Sequence, residues 1–290
     1  MPNVSLVPAD ALDPAALHAA FTAAFADYLL GPFQVPFEQW PLFLARQAVD
    51  LAQSRAAMAD RTVVAFCLAA PRHDRPSWRL GTMGALPAAR GSGAAAALLQ
   101  DFVERARAAD QRDVELECFV QNERAVRLYE RFGFVGMHEL FGYAGRPGNN
   151  AGAVPQPTAL PQPAEVVDTE VEEAFAAIEA LARRDGALPL QVTPQCLRAL
   201  PVQFRAWRSG EAWLVATEVG TDKINTHALI DTSADQTHAE ALVRHLAALH
   251  PQRTLHVPQL QRDDLGGAAL QRIGLPRLPL HQRLMRLRLA

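Results

Sequence analysis

The sequence lacks any block of lysine and arginine residues, and its formal net charge is −3 at pH 7. Without a basic patch there is no electrostatic reason for it to bind nucleic acid or a membrane surface. It also lacks an apolar run of the roughly 18 residues that a membrane-spanning helix needs. Its first residues, MPNVSLVPAD, do not have the charged and then apolar pattern of a signal peptide. We therefore expect a cytoplasmic protein without a nucleic acid or a membrane as partner.

Cysteine is also scarce. Cys67, Cys118 and Cys196 are far apart, and none belongs to a CxxC pair. An odd number at these spacings does not indicate a disulfide framework or a zinc site, so we predict no metal. Each of the three lies among apolar residues, which favours a small buried side chain.

The length of 290 residues suits two domains. A stretch rich in proline, glycine and asparagine over residues 146–163 is the best candidate for a linker. It would separate a first domain, residues 1–145, from a second, residues 164–290.

Helical and extended patterns alternate in both halves, which is typical of an α/β or α+β fold. Helices are predicted over residues 14–30, about 37–53, 94–109, 122–132, 170–184 and 238–249, with a short one before Gly274. Strands are predicted over residues 4–7, 55–59, 62–69, 78–86, 114–119, 134–143, 212–218, 225–230, 254–257 and 282–289. The final strand of the first domain is not evident, and it comes either from residues 158–167 or from the other domain.

The two halves share a weak internal similarity. The segment AAAALLQDF (94–102) aligns with HAEALVRHL (238–246), and LYERFGF (128–134) aligns with ALQRIGL (269–275). The nearly equal offset and the shared order of elements favour a duplicated domain. The alternatives are chance similarity between helices rich in alanine and leucine, and an unrelated α/β domain in the second half.

A glycine-rich segment, Arg90-Gly91-Ser92-Gly93, joins the predicted strand 78–86 to the helix that follows. The start of a helix has unpaired N–H groups and a partial positive charge, so it binds anions. Glycines let a ligand approach the backbone, and arginine adds donors for phosphate. The segment therefore predicts a pyrophosphate site, although a flexible connection is the alternative. It has neither the Walker pattern nor the dinucleotide fingerprint.

A second motif, LECFVQNERAVRLYERFGF (116–134), follows one helix and one strand later. Together the two motifs resemble the GNAT superfamily of acyl-CoA-dependent N-acyltransferases. The phosphate loop of that family is Gln/Arg-x-x-Gly-x-Gly/Ala, and residues 90–95 fit it. The resemblance is specific over residues 83–134 and extends plausibly over residues 1–145. It implies two tandem GNAT-like domains, each with a mixed, mostly antiparallel sheet flanked by helices, the second one degenerate.

The resemblance also implies roles for individual residues. The backbone of Met83, Gly84 and Ala85 would pair with the pantetheine arm, and the N–H near Ala85 would polarise the thioester carbonyl. Asn122 would bind the coenzyme arm, and Tyr129 would protonate the departing thiolate. The alternative for Tyr129 is packing against Phe132 and Phe134. The pyrophosphate would be held by Arg90, Gly91, Ser92, Gly93, Ala94, Ala95 and Ala96.

The general base is less clearly marked. In relatives with this motif, the glutamate at the position of Glu117 can act as the base, often through water. Glu115 is the second choice, and a solvated or ion-paired glutamate is the alternative for both. The second half has lost the chemistry, because Ala234, Asp235 and Thr237 stand where Arg90, Gly91 and Gly93 align.

The resemblance implies an acceptor side in the segment DYLLGPFQVPFEQW (27–40). The alternative is that its aromatic residues pack helices and its acidic residues are solvated. Candidates are Tyr28, Phe33, Phe37 and Trp40 as apolar lining, Asp27 and Glu38 as cation-binding groups, and His138 and Glu139 on the strand predicted over residues 134–143.

The resemblance predicts transfer of an acetyl group from acetyl-CoA to a primary amine, by direct attack in a ternary complex. The acceptor would be a small molecule or a peptide, and the protein a monomer or a homodimer. One alternative is a non-catalytic acyl-CoA-binding or regulatory protein. Another is a tandem acetyltransferase resembling mycothiol synthase, although in that family the catalytic half is usually the second.

Overall fold

The computed structural model describes residues 4–147 and 165–289, so most of the predicted linker lies outside the described residues. The helices are α1 (Pro14–Ala24), α2 (Trp40–Arg46), α3 (Ala94–Ala108), α4 (Glu123–Arg131), α5 (Val171–Asp185), α6 (Pro194–Leu197), α7 (Thr237–Leu249) and α8 (Gly267–Arg272). The strands are β1 (Ser5–Pro8), β2 (Asp50–Ala59), β3 (Thr62–Pro71), β4 (Ser77–Ala85), β5 (Asp113–Phe119), β6 (Val135–Gly145), β7 (Val167–Thr169), β8 (Arg205–Ser209), β9 (Ala212–Val219), β10 (Lys223–Ile230), β11 (Thr254–Arg262) and β12 (Gln282–Arg288). No helix within these described ranges has the length and apolarity of a membrane span.

One continuous sheet runs through both halves, in the order β1-β2-β3-β4-β5-β12-β6-β11-β10-β9-β8-β7. The C-terminal strand β12 lies between β5 and β6 and is antiparallel to both. Strand β6, from the first half, lies in turn between β12 and β11. Each half therefore ends in a strand that pairs with the other half. Of the two sources considered for the missing strand of the first half, the second half is the correct one.

Burial on both faces explains the position of β12. Adjacent residues of a strand point to opposite faces of the sheet. Met285 is fully buried in the core formed by α3, α4 and the first-half strands. Leu284 points the other way and is fully buried against Leu140 and Ala187, at the junction of the halves.

The order of elements is the same around this junction in both halves. In the first half, β5, α4 and β6 follow one another, and in the second half β11, α8 and β12 do. The helices α3 and α7 begin at Ala94 and Thr237, close to the positions that the sequence alignment pairs. The observed order supports the predicted duplication.

Two predicted helices are too long. Helix α1 begins after its Asp13 cap, as predicted, but ends at Ala24 rather than at residue 30. Beyond it, the N–H of Phe33 returns to the carbonyl of Phe25, so the chain turns there. Helix α2 ends at Arg46, and residues 50–53, predicted as helix, begin β2. Ala48 has a φ of 53°, a left-handed conformation that ends the helix.

The second half contains strands that the sequence pattern did not reveal. Strands β7 and β8 were not predicted, and β11 continues to Arg262 beyond the predicted residues 254–257. Strand β7 has three residues and lies at the edge of the sheet. So short a segment shows no clear alternation of apolar and polar residues.

A buried cluster of charges joins β5, β12 and the second half. Glu115 has a fully buried side chain, and one of its carboxylate oxygens lies 2.5 Å from Nη1 of Arg72. Its other oxygen is bound by Arg75 and lies 3.3 Å from Nη2 of Arg286 on β12. Arg72 also donates to the carbonyl of Leu188 in the second half at 2.9 Å. Because a buried charge is costly unless it is paired, this cluster fixes the register of the junction.

Candidate active site

Strands β4 and β5 separate along their length. They are parallel and pair only at residues 77–79 and 113–115 within the described chain. Beyond that point, β4 continues along β3, whereas β5 continues along β12. One backbone edge of β4, from Leu80 to Ala85, therefore faces a wedge between the strands. An unpaired strand edge of this kind can pair with an extended ligand.

The glycine-rich loop lies where β4 leads into α3. Gly91 and Gly93 have φ values of 86° and 94°, which glycine adopts readily. No atom of the described residues beyond its chain neighbours lies within 4 Å of the position that a Cβ would take at either glycine. This space is therefore open to a ligand in the part of the chain that the structure describes.

The loop also presents free donors. Ala94 donates its N–H to Oγ of Ser92 at 3.3 Å. Four backbone N–H groups have no protein acceptor within the described ranges, namely those of Gly91, Gly93, Ala95 and Ala96. Unpaired donors at the positive end of a 15-residue helix form a site suited to phosphate groups. The pyrophosphate of coenzyme A fits a site of this chemistry.

The start of α7, at the corresponding point of the second half, is filled by the chain itself. Ala239 donates its N–H to Oδ2 of Asp231 at 2.8 Å. Thr237 donates its N–H to Oδ1 of Asp235 at 3.4 Å. Carboxylates thus occupy the helix donors there and repel a second anion.

Arg90, the first residue of the loop motif, is bound to Asp27 just beyond the end of α1. Its guanidinium also donates to the carbonyl of Ala24 at 3.1 Å. The pairing with Arg90 lowers the pKa of Asp27, so the carboxylate is ionised at neutral pH. Asp27, considered from sequence as a group for a cationic acceptor, instead binds the arginine of the glycine-rich loop.

The remaining residues predicted to contact the coenzyme are placed as follows. Met83 and Ala85 on β4 pack partly buried against the core that contains α3. A Cβ on Gly84 would lie 2.7 Å from Cζ of Phe66, so this glycine is required by packing against β3. Asn122 caps α4, since its side chain accepts the N–H of Ala125 at 3.3 Å.

Tyr129 on α4 packs against Phe134, with ring centroids 5.9 Å apart. It lies in the same core cluster as Cys118, near the end of β5. Burial raises the pKa of Tyr129 well above 10, so its phenol stays protonated at neutral pH. Burial also raises the pKa of Tyr28, which packs against Phe119, to about 12. Two protonated phenols therefore lie close to Cys118.

Glu117 is held by two neighbours on the face of β5 opposite to Cys118. Its Oε2 accepts Nε of Arg79 at 2.6 Å and Nε2 of Gln191 at 3.4 Å. Its Oε1 is buried and has no hydrogen-bond partner among the described residues. Both oxygens of Glu115, by contrast, are occupied by arginines. Of the two glutamates, only Glu117 keeps an oxygen free to accept a proton.

The aromatic residues predicted for the acceptor side differ in their exposure to solvent. Phe33 and Phe37 are 36% and 48% exposed, beside the turn that follows α1. Trp40 is 2% exposed and stacks on Phe43, so it belongs to the core of α1 and α2. Glu139 is paired with Arg283 at 2.7 Å, on neighbouring strands of the junction.

Sequence reasoning missed three residues of the hydrogen-bond network that contains Glu117. Arg79 follows the apolar Trp78 within β4, and an arginine inside a strand is a signal that could have been noticed. Gln47 accepts Nη1 of Arg79 at 3.3 Å. Gln191 lies more than 70 residues away from Glu117 in the chain, and nothing in its local sequence connects the two.

A family model matches part of the chain. Residues 16–134 match the model of the acetyltransferase (GNAT) family. No curated protein matches the sequence.

Similar solved structures cover nearly the whole chain. A GCN5-related N-acetyltransferase from Kribbella flavida is 16% identical, with a TM-score of 0.61 over 98% of this chain and 71% of that one. A GCN5-related N-acetyltransferase from Sphaerobacter thermophilus is 13% identical, with a TM-score of 0.60 over 98% of this chain and 95% of that one. A tandem GNAT protein from the clavulanic acid biosynthesis pathway is 14% identical, with a TM-score of 0.59 over 99% of this chain and 98% of that one. At these identities the likeness shows the fold. Residues 16–134 thus match the GNAT acetyltransferase family, and the chain has the fold of the tandem GNAT protein.

Proposed function

We propose that the protein transfers an acetyl group from acetyl-CoA to a primary amine of a small-molecule or peptide acceptor. The observation that carries the proposal is the wedge between β4 and β5, beside a helix start whose donors are free. The free N–H groups suit a pyrophosphate, and the unpaired edge of β4 suits an extended amide-containing arm. Membership of residues 16–134 in the GNAT family supports the same assignment.

In the proposed reaction, the neutral amine attacks the thioester carbon directly in a ternary complex. The new C–N bond forms, the C–S bond breaks, and the nitrogen loses a proton to Glu117. The thiolate takes a proton from the phenol of Tyr129, which is protonated at neutral pH. The N–H near Ala85 stabilises the negative charge that develops on the carbonyl oxygen.

A non-catalytic acyl-CoA-binding protein is the alternative that one observation favours. The side chain of Glu117 is 1% exposed and ion-paired to Arg79, which is also the arrangement of a structural glutamate. An enzyme resembling mycothiol synthase would place catalysis in the second half. The contact between Asp231 and the start of α7 argues against that placement.

We also propose a cytoplasmic location and a monomer or homodimer. All three cysteines are free and buried, which is compatible with a reducing compartment and supports the location.

Isothermal titration calorimetry with coenzyme A tests whether the protein binds the coenzyme. Gly93→Glu would place a carboxylate among the free N–H groups, so we expect binding to be lost. Gly220→Glu is the matched control, since Gly220 also has a positive φ, of 58°, but lies in a turn of the second half. Equal affinity in the Gly93 variant and the wild type would refute the phosphate site.

Turnover of acetyl-CoA against a panel of primary amines tests whether the protein transfers the acetyl group. Acetylation of at least one amine, with release of free thiol, is the expected result. Coenzyme A binding without turnover on a broad panel would favour the non-catalytic alternative.

A further inference from the structure

The second half of the chain reaches the glutamate proposed as the base. Gln191 lies in a short 3-10 turn, Leu190–Val192, between α5 and α6. Its Nε2 donates to Oε2 of Glu117, the oxygen that also accepts Nε of Arg79. A residue of the catalytically degenerate half therefore contacts the carboxylate directly.

The segment that carries Gln191 is fixed to the first half by other contacts. Leu190 and Cys196 are buried against Ala70, near the end of β3. Gln195 donates to the carbonyl of Pro71 at 2.8 Å and accepts the N–H of His73 at 3.0 Å. The position of Gln191 is thus determined by the junction and does not depend on its own weak hydrogen bond.

The two neighbours of Glu117 bind only one of its oxygens. Its Oε1 and the Oε1 of Gln191 are both buried acceptors without a donor in the described part of the chain. Buried polar atoms are rarely left unpaired, so each of these two oxygens calls for a donor such as a water or a ligand N–H.

We propose that Gln191 is a positioning residue: its amide holds Oε2 of Glu117 so that Oε1 is presented to the proton of the acceptor amine. This inference deepens the proposed function and rests on it for the role of Glu117 as base. It assigns the second half a task in the reaction, namely to complete the surroundings of the base.

The other groups around Glu117 keep a constant charge over the range in which a carboxylate titrates. Arg79 on β4 is the nearest cation. Cys196 on α6 faces the same pair, and burial raises its pKa to about 11, so its thiol is neutral. Further along the same face of β5, Glu115 is enclosed by Arg72, Arg75 and Arg286.

The test follows the carboxyl signal of Glu117 by carbon NMR in protein labelled with ¹³C-glutamate, with Glu117→Gln used for assignment. Gln191→Met keeps the volume of the side chain and removes the donor. A carboxylate that loses a donor binds its proton more tightly, so we expect the titration midpoint to rise by about half a pH unit. Gln195→Met is the matched control, because Gln195 joins the same two halves without touching Glu117.

Kinetics give the second readout. In Gln191→Met we expect kcat to fall about tenfold, the acid limb of the kcat/KM profile to move with the NMR midpoint, and coenzyme A affinity to stay unchanged. An unchanged midpoint, or an equal rise in Gln195→Met, would overturn the inference. A wild-type protein without turnover whose midpoint still responds to Gln191→Met would refute the proposed function and leave the positioning contact in place.

Discussion

Arg90 and Asp27 form a two-point ion pair, with Nη1 2.5 Å from Oδ2 and Nη2 2.5 Å from Oδ1. Their side chains are 30% and 56% exposed, so solvent weakens the pair. The pair connects the first residue of the glycine-rich loop to the segment after α1, next to Tyr28. It also engages the donors of Arg90 that could otherwise reach a phosphate.

Releasing this pair should strengthen coenzyme A binding. In Asp27→Asn the guanidinium is no longer held by a full negative charge, so we expect affinity for coenzyme A to rise about threefold. Titration calorimetry measures the effect. In an Arg90→Ala background the Asp27→Asn change should have no effect. A rise of equal size in both backgrounds would show that Asp27 acts without Arg90.

Removing the phenol of Tyr129 should slow the chemistry and spare binding. In Tyr129→Phe the thiolate loses its proton donor, so we expect kcat to fall about 100-fold while the Kd of coenzyme A stays unchanged. Stopped assays of thiol release and calorimetry measure the two quantities. Tyr28→Phe is the control for the neighbouring phenol. Normal turnover in Tyr129→Phe would make Tyr129 a packing residue against Phe134.

Neutralising Glu115 should destabilise the junction of the two halves. In Glu115→Gln three arginines are left around a fully buried neutral group, so we expect the free energy of unfolding to fall by about 3–5 kcal/mol. Urea unfolding followed by circular dichroism measures the loss. Glu123→Gln removes the glutamate of an exposed ion pair and should cost less than about 0.5 kcal/mol. Equal losses in the two variants would contradict a structural role for the cluster.

Alkaline pH should destabilise the protein through its buried thiols. Burial raises the pKa of Cys67 and Cys118 to about 12 and that of Cys196 to about 11, from an ordinary value of 9.0. Above pH 9 the unfolded chain releases protons that the folded chain keeps, so stability is complete below pH 9 and is lost as the pH rises toward the folded values. Each thiol contributes a loss of about 1.4 kcal/mol per pH unit.

Urea unfolding at pH 7, 9 and 10.5 measures this slope, and Cys67→Ala should reduce it by the share of one thiol. A free energy of unfolding that stays constant over this range would disprove the effect.

Removal of β12 should unfold the first half as well as the second. A chain that ends at Leu280 leaves the facing edges of β5 and β6 without their partner and removes Met285 from the first core. We expect it to lose cooperative thermal unfolding, measured by circular dichroism. A chain that ends at Arg288 retains β12 and should unfold like the wild type. An unchanged transition in the shorter chain would mean that β12 is dispensable to the sheet.

Local sequence was sufficient for the position of the glycine-rich loop and of the helix behind it. Gly91 and Gly93 were expected to let a ligand approach the backbone, and the structure has positive φ values at both and, among the described residues, open space beside them. The start of α1 at Pro14 was predicted as well. The end of α1 was not, because Phe25 and Tyr28 continue its apolar periodicity while tertiary packing of their rings turns the chain.

The two glutamates of β5 show what the alternation of side chains along a strand does not predict. Alternation along the strand places Glu115 and Glu117 on one face, but it does not show what covers that face. The arginines around Glu115 come from the segment after β3 and from β12, and Gln191 comes from the second half. These partners are distant in sequence, so no local periodicity reveals them.

By itself, the sequence determined the position of the glycine-rich loop, the helix behind it and most of the order of elements in each half. These follow from the conformational preferences and the periodicity of neighbouring residues. The tertiary structure alone decided that each half ends in a strand that pairs with the other half, and that one glutamate is enclosed while the other keeps a free oxygen. Pairing of distant strands and burial of charges depend on which segments meet, and only the folded chain specifies that.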